Sequence, residues 1–275
     1  MRVDSTDGVE LEVHDLGGDG PPLLLVHATG FHGLVWEPLA SHLTGFRRFS
    51  IDMRAHGDST APLGRPLEWD GFADDVLAVV DALGLERPFA VGHSKGGAAL
   101  LLAEQRRPGT FRSMYCWEPV VMPPEIAIGY QPDNPLSNGA RRRRPTFASH
   151  DEAFENYAAK PPFSGLDAVA LRAYVDHGFV TTDDGTVTLK CQPDNEAEVY
   201  AHGTAHQAFR SLNLVCCPVT IAVGVEDTVP AIFGRPIAAA LPAGRLESHP
   251  ELGHFGPLEN PPLVAESILA AFALD

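Results

Sequence analysis

A six-residue segment in the first half of the chain, residues 92–97 with the sequence GHSKGG, sets the strictest local requirement on the fold. It follows an apolar run at residues 89–91 and precedes a stretch rich in Ala and Leu at residues 98–105, which is typical of a helix. A strand that passes into a helix so abruptly needs a sharp turn, and its flanking positions tolerate little side chain, hence Gly92 and Gly96. The segment therefore predicts a serine raised above the edge of a sheet at a helix N-terminus.

Apolar runs and amphipathic stretches alternate along both ends of the chain. Apolar or alternating patterns predict strands at residues 9–13, 23–26, 50–52, 89–91, 113–117 and 219–223. Helices are predicted at residues 69–83, where apolar side chains recur every three or four positions, at residues 98–105, and after Pro261. This alternation predicts an α/β fold, a mostly parallel central sheet with helices on both faces.

The middle of the chain, residues 122–213, has a different pattern. It contains several Pro and Gly breaks and no comparable buried strand, while Phe154, Tyr157 and Leu171 suggest short helices. Because the strand pattern resumes afterwards, we expect a small helical lid inserted into a core formed by residues 1–121 and 214–275.

Composition restricts the partners that the chain can have. The formal net charge of −16 argues against nucleic acid, since phosphate binding needs a basic face. The first five residues lack a signal-peptide pattern, and the longest early apolar run is too short to cross a bilayer. The four cysteines and twelve histidines show no metal-ligand spacing. We expect a cytoplasmic protein with free thiols (disulfide pairing is the alternative), a small-molecule substrate, no metal and no cofactor.

Ser94 is a candidate nucleophile, and a serine hydroxyl needs a base because its pKa keeps it protonated at neutral pH. His254 is the best placed of the histidines, in a glycine-flanked loop before the last helix, although it could merely cap that helix. Asp227 follows the strand at residues 219–223 and is the first candidate for the carboxylate that orients the base. Its alternative role is a helix N-cap, and Glu226 and Glu118 are rival acids.

Five segments in order resemble the α/β-hydrolase superfamily in its cap-bearing form, across essentially the whole chain. Ser94, Asp227 and His254 follow the superfamily's order of nucleophile, acid and histidine. Residues 25–31 (LVHATGF) resemble the loop that contributes to the oxyanion hole, and residues 52–59 (DMRAHGDS) resemble a common turn after the next strand. The resemblance implies the α/β-hydrolase fold with this catalytic triad, and Glu118 is kept as the alternative acid.

The oxyanion donors are less certain in this sequence, because Ala28 stands where many relatives have glycine, as does Ala55 in the second segment. Alignment with the superfamily favours the backbone N–H of Thr29, with Phe31 as the alternative. The second donor is the backbone N–H of Lys95. Losing one such donor typically costs ~10²–10³ in turnover, so the assignment has consequences.

Two basic features need an explanation. Lys95 lies in the first turn of a helix, where a cation opposes the helix dipole by ~0.3–1 kcal/mol. We expect its ammonium either to pair with Glu118 or to be solvated under the lid. Residues 141–144 (RRRR) could bind a carboxylate or phosphate. Four consecutive side chains cannot all face a pocket, so we expect this run to form a solvated lid surface.

The nucleophile narrows the chemistry. Haloalkane dehalogenases and epoxide hydrolases of the superfamily use a carboxylate at the position of Ser94, which argues against both reactions. The resemblance implies hydrolysis of a carboxylic ester through an acyl-enzyme, with the lid supplying an apolar pocket. Lactone or thioester hydrolysis, carbon–carbon bond hydrolysis and cofactor-free perhydrolase activity use the same triad. A non-catalytic ligand receptor is the alternative from another class, and the oligomeric state stays open.

Overall fold

A computed structural model of the chain describes residues 1–64, 66–225 and 229–273. Its strands are β1 (Arg2–Asp4), β2 (Glu10–Gly17), β3 (Pro22–Val26), β4 (Arg47–Ile51), β5 (Phe89–His93), β6 (Ser113–Trp117), β7 (Thr146–Phe147), β8 (Phe179–Thr181), β9 (Val187–Leu189), β10 (Val219–Val223) and β11 (Gly244–Ser248). Its α-helices are α1 (Glu37–Ala40), α2 (Trp69–Ala82), α3 (Lys95–Arg106), α4 (Pro135–Arg141), α5 (His150–Ala158), α6 (Ala168–Gly178), α7 (Pro193–Ala201), α8 (Gly234–Ala240), α9 (Gly256–Glu259) and α10 (Pro261–Phe272).

The main sheet has eight strands in the order β1-β2-β4-β3-β5-β6-β10-β11. The pairs that involve β2 are antiparallel, and the pairs from β4 through β11 are parallel. The predicted α/β fold with a mostly parallel central sheet is therefore confirmed. Because the parallel strands share a direction, the loops that follow β3, β5, β6 and β10 meet at one edge of the sheet.

Helices cover both faces of this sheet, as the alternating strand side chains require. Ala90 belongs to the core cluster that includes α2 and α3, while its neighbours Phe89 and Val91 belong to the cluster that includes α1 and α10. Of the apolar positions that define the predicted periodicity of α2, Phe72 and Val76 are fully buried, whereas Leu83 at its end is partly buried. Packing on both faces explains why these strands read as continuous apolar runs.

The segment between β6 and β10 contains helices α4 to α7. It also contains a three-stranded antiparallel sheet in the order β7-β9-β8, which the sequence pattern did not indicate. These strands have two or three residues each, too few for an alternating pattern to be recognised. We call residues 135–201 the cap below; the lid boundaries at residues 122 and 213 remain a prediction.

Three further features concern helix length, clusters of metal-ligating side chains and the cysteines. No helix within the described ranges is long and apolar enough to cross a membrane. The same residues contain no group of three or more His, Cys, Asp or Glu side chains that could hold a metal ion. All four cysteines are free thiols, and Cys216 is the exposed one.

Candidate active site

Ser94 lies at the turn between β5 and α3 with φ of 54° and ψ of −113°. This left-handed region is costly for a residue with a side chain, on the order of 1–3 kcal/mol. Main-chain contacts hold the turn: the N–H of Ser94 donates to the carbonyl of Trp117 at 2.9 Å. The two glycines are needed, since a β-carbon at Gly96 would lie 2.1 Å from the carbonyl oxygen of Val26, and one at Gly92 would lie 2.6 Å from a main-chain nitrogen.

His254 is held on both its ring and its main chain. Its Nδ1 lies 2.6 Å from Oε2 of Glu118, to which it donates. Its carbonyl oxygen accepts hydrogen bonds from Trp117 Nε1 at 3.1 Å and from His93 Nε2 at 2.9 Å. With Nδ1 protonated and bonded to a carboxylate, Nε2 of the neutral ring is left as a proton acceptor.

Glu118 directly follows β6 and is completely buried on its side chain. Its second carboxylate oxygen accepts the N–H of Gly224 at 2.8 Å, and its own N–H donates to the carbonyl of Ala222 at 2.8 Å. Like Ser94 it has a positive φ, 41°. One hydrogen bond thus fixes the carboxylate and the other fixes the main chain of Glu118. A buried carboxylate held in this way is suited to orienting an imidazole.

The structure thus brings together His254 and Glu118, which the sequence ranked as the alternative acid. Asp227, the first choice, and Glu226 lie outside the residues that the structure describes. The sequence could not decide between the acids by position, because β6 and β10 are adjacent parallel strands that end at the same edge. An acidic residue that follows either strand therefore has its main chain at the same edge of the sheet, near the loop of His254.

The expected oxyanion donors lie in the loops after β3 and β5. Within the described part of the chain, the backbone N–H groups of Thr29 and Lys95 donate to no protein acceptor, whereas that of Phe31 donates to the carbonyl of Ala28 at 3.3 Å. His27 fixes this loop, because its Nδ1 donates to the same Ala28 oxygen at 2.7 Å. These contacts favour Thr29 over Phe31 as the donor.

Lys95 does not pair with Glu118, and that expectation is wrong. Its side chain is fully buried, so the solvated alternative is wrong as well. Its Nζ lies 3.5 Å from His56 Nε2 and 4.3 Å from the ring centre of Phe72. The side chain packs under the sheet edge toward α2, while both oxygens of Glu118 are taken by other donors. Burial lowers the pKa of Lys95 to about 7, even though nearby Asp75 favours its charged form.

The run at residues 141–144 is not uniformly a solvated surface. Arg143 is largely buried, forms an ion pair with Glu196, and donates to the hydroxyls of Tyr157, at 2.9 Å, and Tyr174. Burial opposes its charge, but the neighbouring tyrosine and glutamate oxygens hold the pKa of Arg143 well above its usual value. The expectation fails for this residue and holds for the three exposed arginines beside it. No local pattern joins Arg143 to Glu196, which is 53 positions away.

A cavity of about 610 Å³ lies between the core and the cap. Ser94, His254 and Thr29 line its base; Arg143 and Glu196 line its cap side. Most of the remaining lining is apolar, including Phe31, Trp69, Val120, Met122, Phe163 and Phe255. Among the described residues Ser94 and His254 are not hydrogen-bonded to each other, a contact that is often long in ligand-free enzymes. The volume suits a small or medium organic molecule.

Comparisons with known proteins agree with this fold. Residues 21–261 match the family model described as the alpha/beta hydrolase fold. A bifunctional esterase/perhydrolase of Acinetobacter calcoaceticus is 26% identical, over 98% of each chain. The solved structure of E-2-(acetamidomethylene)succinate hydrolase has a TM-score of 0.84 at 23% identity, over 99% of this chain and 98% of that one. An enol-lactonase from Burkholderia xenovorans has a TM-score of 0.73 at 20% identity, over 99% and 100%. At these identities the two solved structures share the fold with this chain.

Proposed function

The chain belongs to the α/β-hydrolase family, and from that premise we propose that it is a serine hydrolase that cleaves carboxylic esters. The observation that carries the proposal is the 2.6 Å hydrogen bond from His254 to the buried Glu118, at the base of the cavity that Ser94 also lines. A nucleophile on a strained turn, an oriented base and a buried acid are the parts that acyl transfer to serine requires.

In the proposed mechanism Ser94 Oγ attacks the acyl carbon while Nε2 of His254 takes its proton. The backbone N–H groups of Thr29 and Lys95 donate to the oxyanion that forms. The bond from carbon to the alcohol oxygen then breaks, and His254 returns its proton to the leaving alcohol. Water, activated by the same imidazole, hydrolyses the acyl-enzyme and releases the acid.

The surroundings of His254 support its role as the proton carrier. Glu118 faces the imidazole as a carboxylate, so it stabilises the imidazolium that forms during each step. The adjacent His93 is buried, and burial together with His254 lowers its pKa well below the usual value. His93 therefore stays neutral and holds the carbonyl of His254. In this proposal His254 takes the proton, and His93 fixes the loop that carries His254.

The cavity supports an ester of a small or medium acid, because its apolar lining would hold a hydrocarbon chain near Ser94. The esterase/perhydrolase named above is a full-length relative, which favours an ester over other acyl substrates. Cytoplasmic location is part of the proposal, since a reducing compartment would keep the four thiols free.

The test is steady-state hydrolysis of p-nitrophenyl esters from acetate to octanoate by the wild type, Ser94→Ala and the control Ser41→Ala. Ser41 is an exposed serine that donates to a local carbonyl. We expect Ser94→Ala to lose on the order of 10⁶ in kcat and to escape labelling by a fluorophosphonate. Ser41→Ala should behave as the wild type. Activity that survives in Ser94→Ala would contradict the nucleophile, and a wild type that cleaves no ester would contradict the substrate class.

A further inference from the structure

Glu196 brings an unused hydrogen-bond acceptor to the cavity. It lies on α7, and its side chain is 6% exposed. Oε2 pairs with Arg143, whereas Oε1 accepts no hydrogen bond from any described residue. Oε1 points toward Gly30, where a β-carbon would lie 2.7 Å from it. Gly30 adjoins Thr29, so this oxygen lies beside the loop that would hold the oxyanion.

The cation that balances Glu196 is largely occupied, since three of its five N–H groups have acceptors among the described residues. One terminal nitrogen of Arg143 donates to Glu196, and the other donates to the hydroxyls of Tyr157 and Tyr174. Among the described residues that line the cavity, Arg143 and Glu196 are those with a formal charge, and together they are neutral. The cap wall therefore offers a substrate the Oε1 of a neutral ion pair, and Arg143 Nη1 lies beside it, 3.3 Å from the same β-carbon position at Gly30.

This oxygen would favour some substituents next to the reacting carbonyl of the substrate over others. A hydroxyl or N–H would donate to it and form a charge-assisted hydrogen bond in a largely apolar cavity. A carboxylate would meet a second anion at close range and would have to compete with Glu196 for Arg143. Glycine at position 30 lets the carboxylate approach the loop this closely, because a β-carbon there would crowd it.

We propose that Glu196 selects esters that carry a hydroxyl or N–H group close to the scissile carbonyl and rejects esters that carry a carboxylate there. The inference rests on the proposed function, since it needs Ser94-dependent ester hydrolysis. A hydrogen bond to a charged group is worth roughly 10- to 100-fold in kcat/KM.

The experiment compares kcat/KM within two matched series. On the acyl side the substrates are ethyl butyrate, ethyl 3-hydroxybutyrate and monoethyl succinate; on the alcohol side they are propyl butyrate, 2-hydroxyethyl butyrate and butyryl glycolate. The enzymes are the wild type, Glu196→Gln and Glu198→Gln. Glu198 is the matched control, because it lies on the same helix but contacts Tyr130 and His202.

The wild type should prefer the hydroxyl ester over the plain ester by about tenfold or more in the series that faces Glu196, and cleave the carboxylate ester slowest. Glu196→Gln frees Arg143, so it should reduce the hydroxyl preference and raise the relative rate on the carboxylate ester at least tenfold. Glu198→Gln should keep the wild-type ratios.

The wild-type ratios test the inference even if Glu196→Gln does not fold. Ser94-dependent cleavage of the plain esters with no hydroxyl preference in either series, or with a preference for carboxylate, would overturn the role of Glu196 alone. Ratios that Glu196→Gln leaves unchanged would overturn it too. Absence of cleavage of every ester by the wild type would instead overturn the proposed function.

Discussion

The core and the cap each contribute a cluster of polar groups to the same cavity, and the two clusters are positioned by different means. In the core, main-chain geometry decides: Ser94 and Glu118 both have positive φ and are held by bonds between main-chain groups of neighbouring strands and loops. In the cap, Arg143 meets Glu196 and two tyrosines from separate helices through side chains alone. The proposed reaction would thus depend on the backbone of the sheet, whereas the proposed selection of the substrate would depend on side chains that can change without disturbing the sheet.

Replacing one glycine in each region should separate them most clearly. In Gly96→Ala the new β-carbon would meet the Val26 carbonyl at 2.1 Å, so we expect a loss of about 3 kcal/mol in the free energy of unfolding. Gly139→Ala in α4 meets no atom within 4 Å, and alanine should stabilise that helix by about 0.5–1 kcal/mol. Urea denaturation measures both. Equal changes in the free energy of unfolding of the two variants would contradict this difference between the core and the cap.

The arginines of the cap test whether side chains alone hold its cluster. Arg143→Met leaves Glu196 buried without its cation, which should cost about 3 kcal/mol. Arg144→Ala removes an exposed pair with Glu152 and should leave the denaturation midpoint unchanged. Thermal and urea denaturation would show the difference. If the two variants unfolded alike, Arg143 would belong to the solvated surface that the sequence suggested.

The buried amine of the core gives a smaller, pH-dependent effect. Lys95 has a pKa of about 7 in the folded protein against about 10.4 in an unfolded chain. Between about pH 7 and 10 the unfolded chain binds a proton here that the folded chain does not, so this site makes stability rise with pH, by up to about 1.4 kcal/mol per pH unit.

Lys95→Met removes that titration and keeps the backbone N–H. Unfolding free energies of both proteins, measured from pH 6 to pH 10, should therefore diverge in favour of the wild type as the pH rises. Parallel curves would show that Lys95 stays protonated in the folded protein, held by its neighbours.

Local patterns predicted the core well and the cap poorly. The turn at Ser94 could be predicted because its glycines and flanking elements are adjacent in sequence. The choice between Glu118 and Asp227 could not, since both follow strands that end at one edge of the sheet. The burial of Lys95 and the pairing of Arg143 with Glu196 depend on elements distant in sequence, and no spacing records such contacts. The strands of the cap could not be predicted, because two or three residues are too few to show an alternating pattern.

The most direct test of the proposed triad compares kcat of the wild type, Glu118→Gln and Asp227→Asn on one p-nitrophenyl ester, with circular dichroism to verify folding. Glutamine has the size of Glu118 but cannot stabilise the imidazolium or enforce the tautomer of His254. We expect Glu118→Gln to lose on the order of 10⁴ in kcat and Asp227→Asn to stay within about tenfold of the wild type. A folded Glu118→Gln with nearly full activity, beside an inactive Asp227→Asn, would contradict the assignment of the acid.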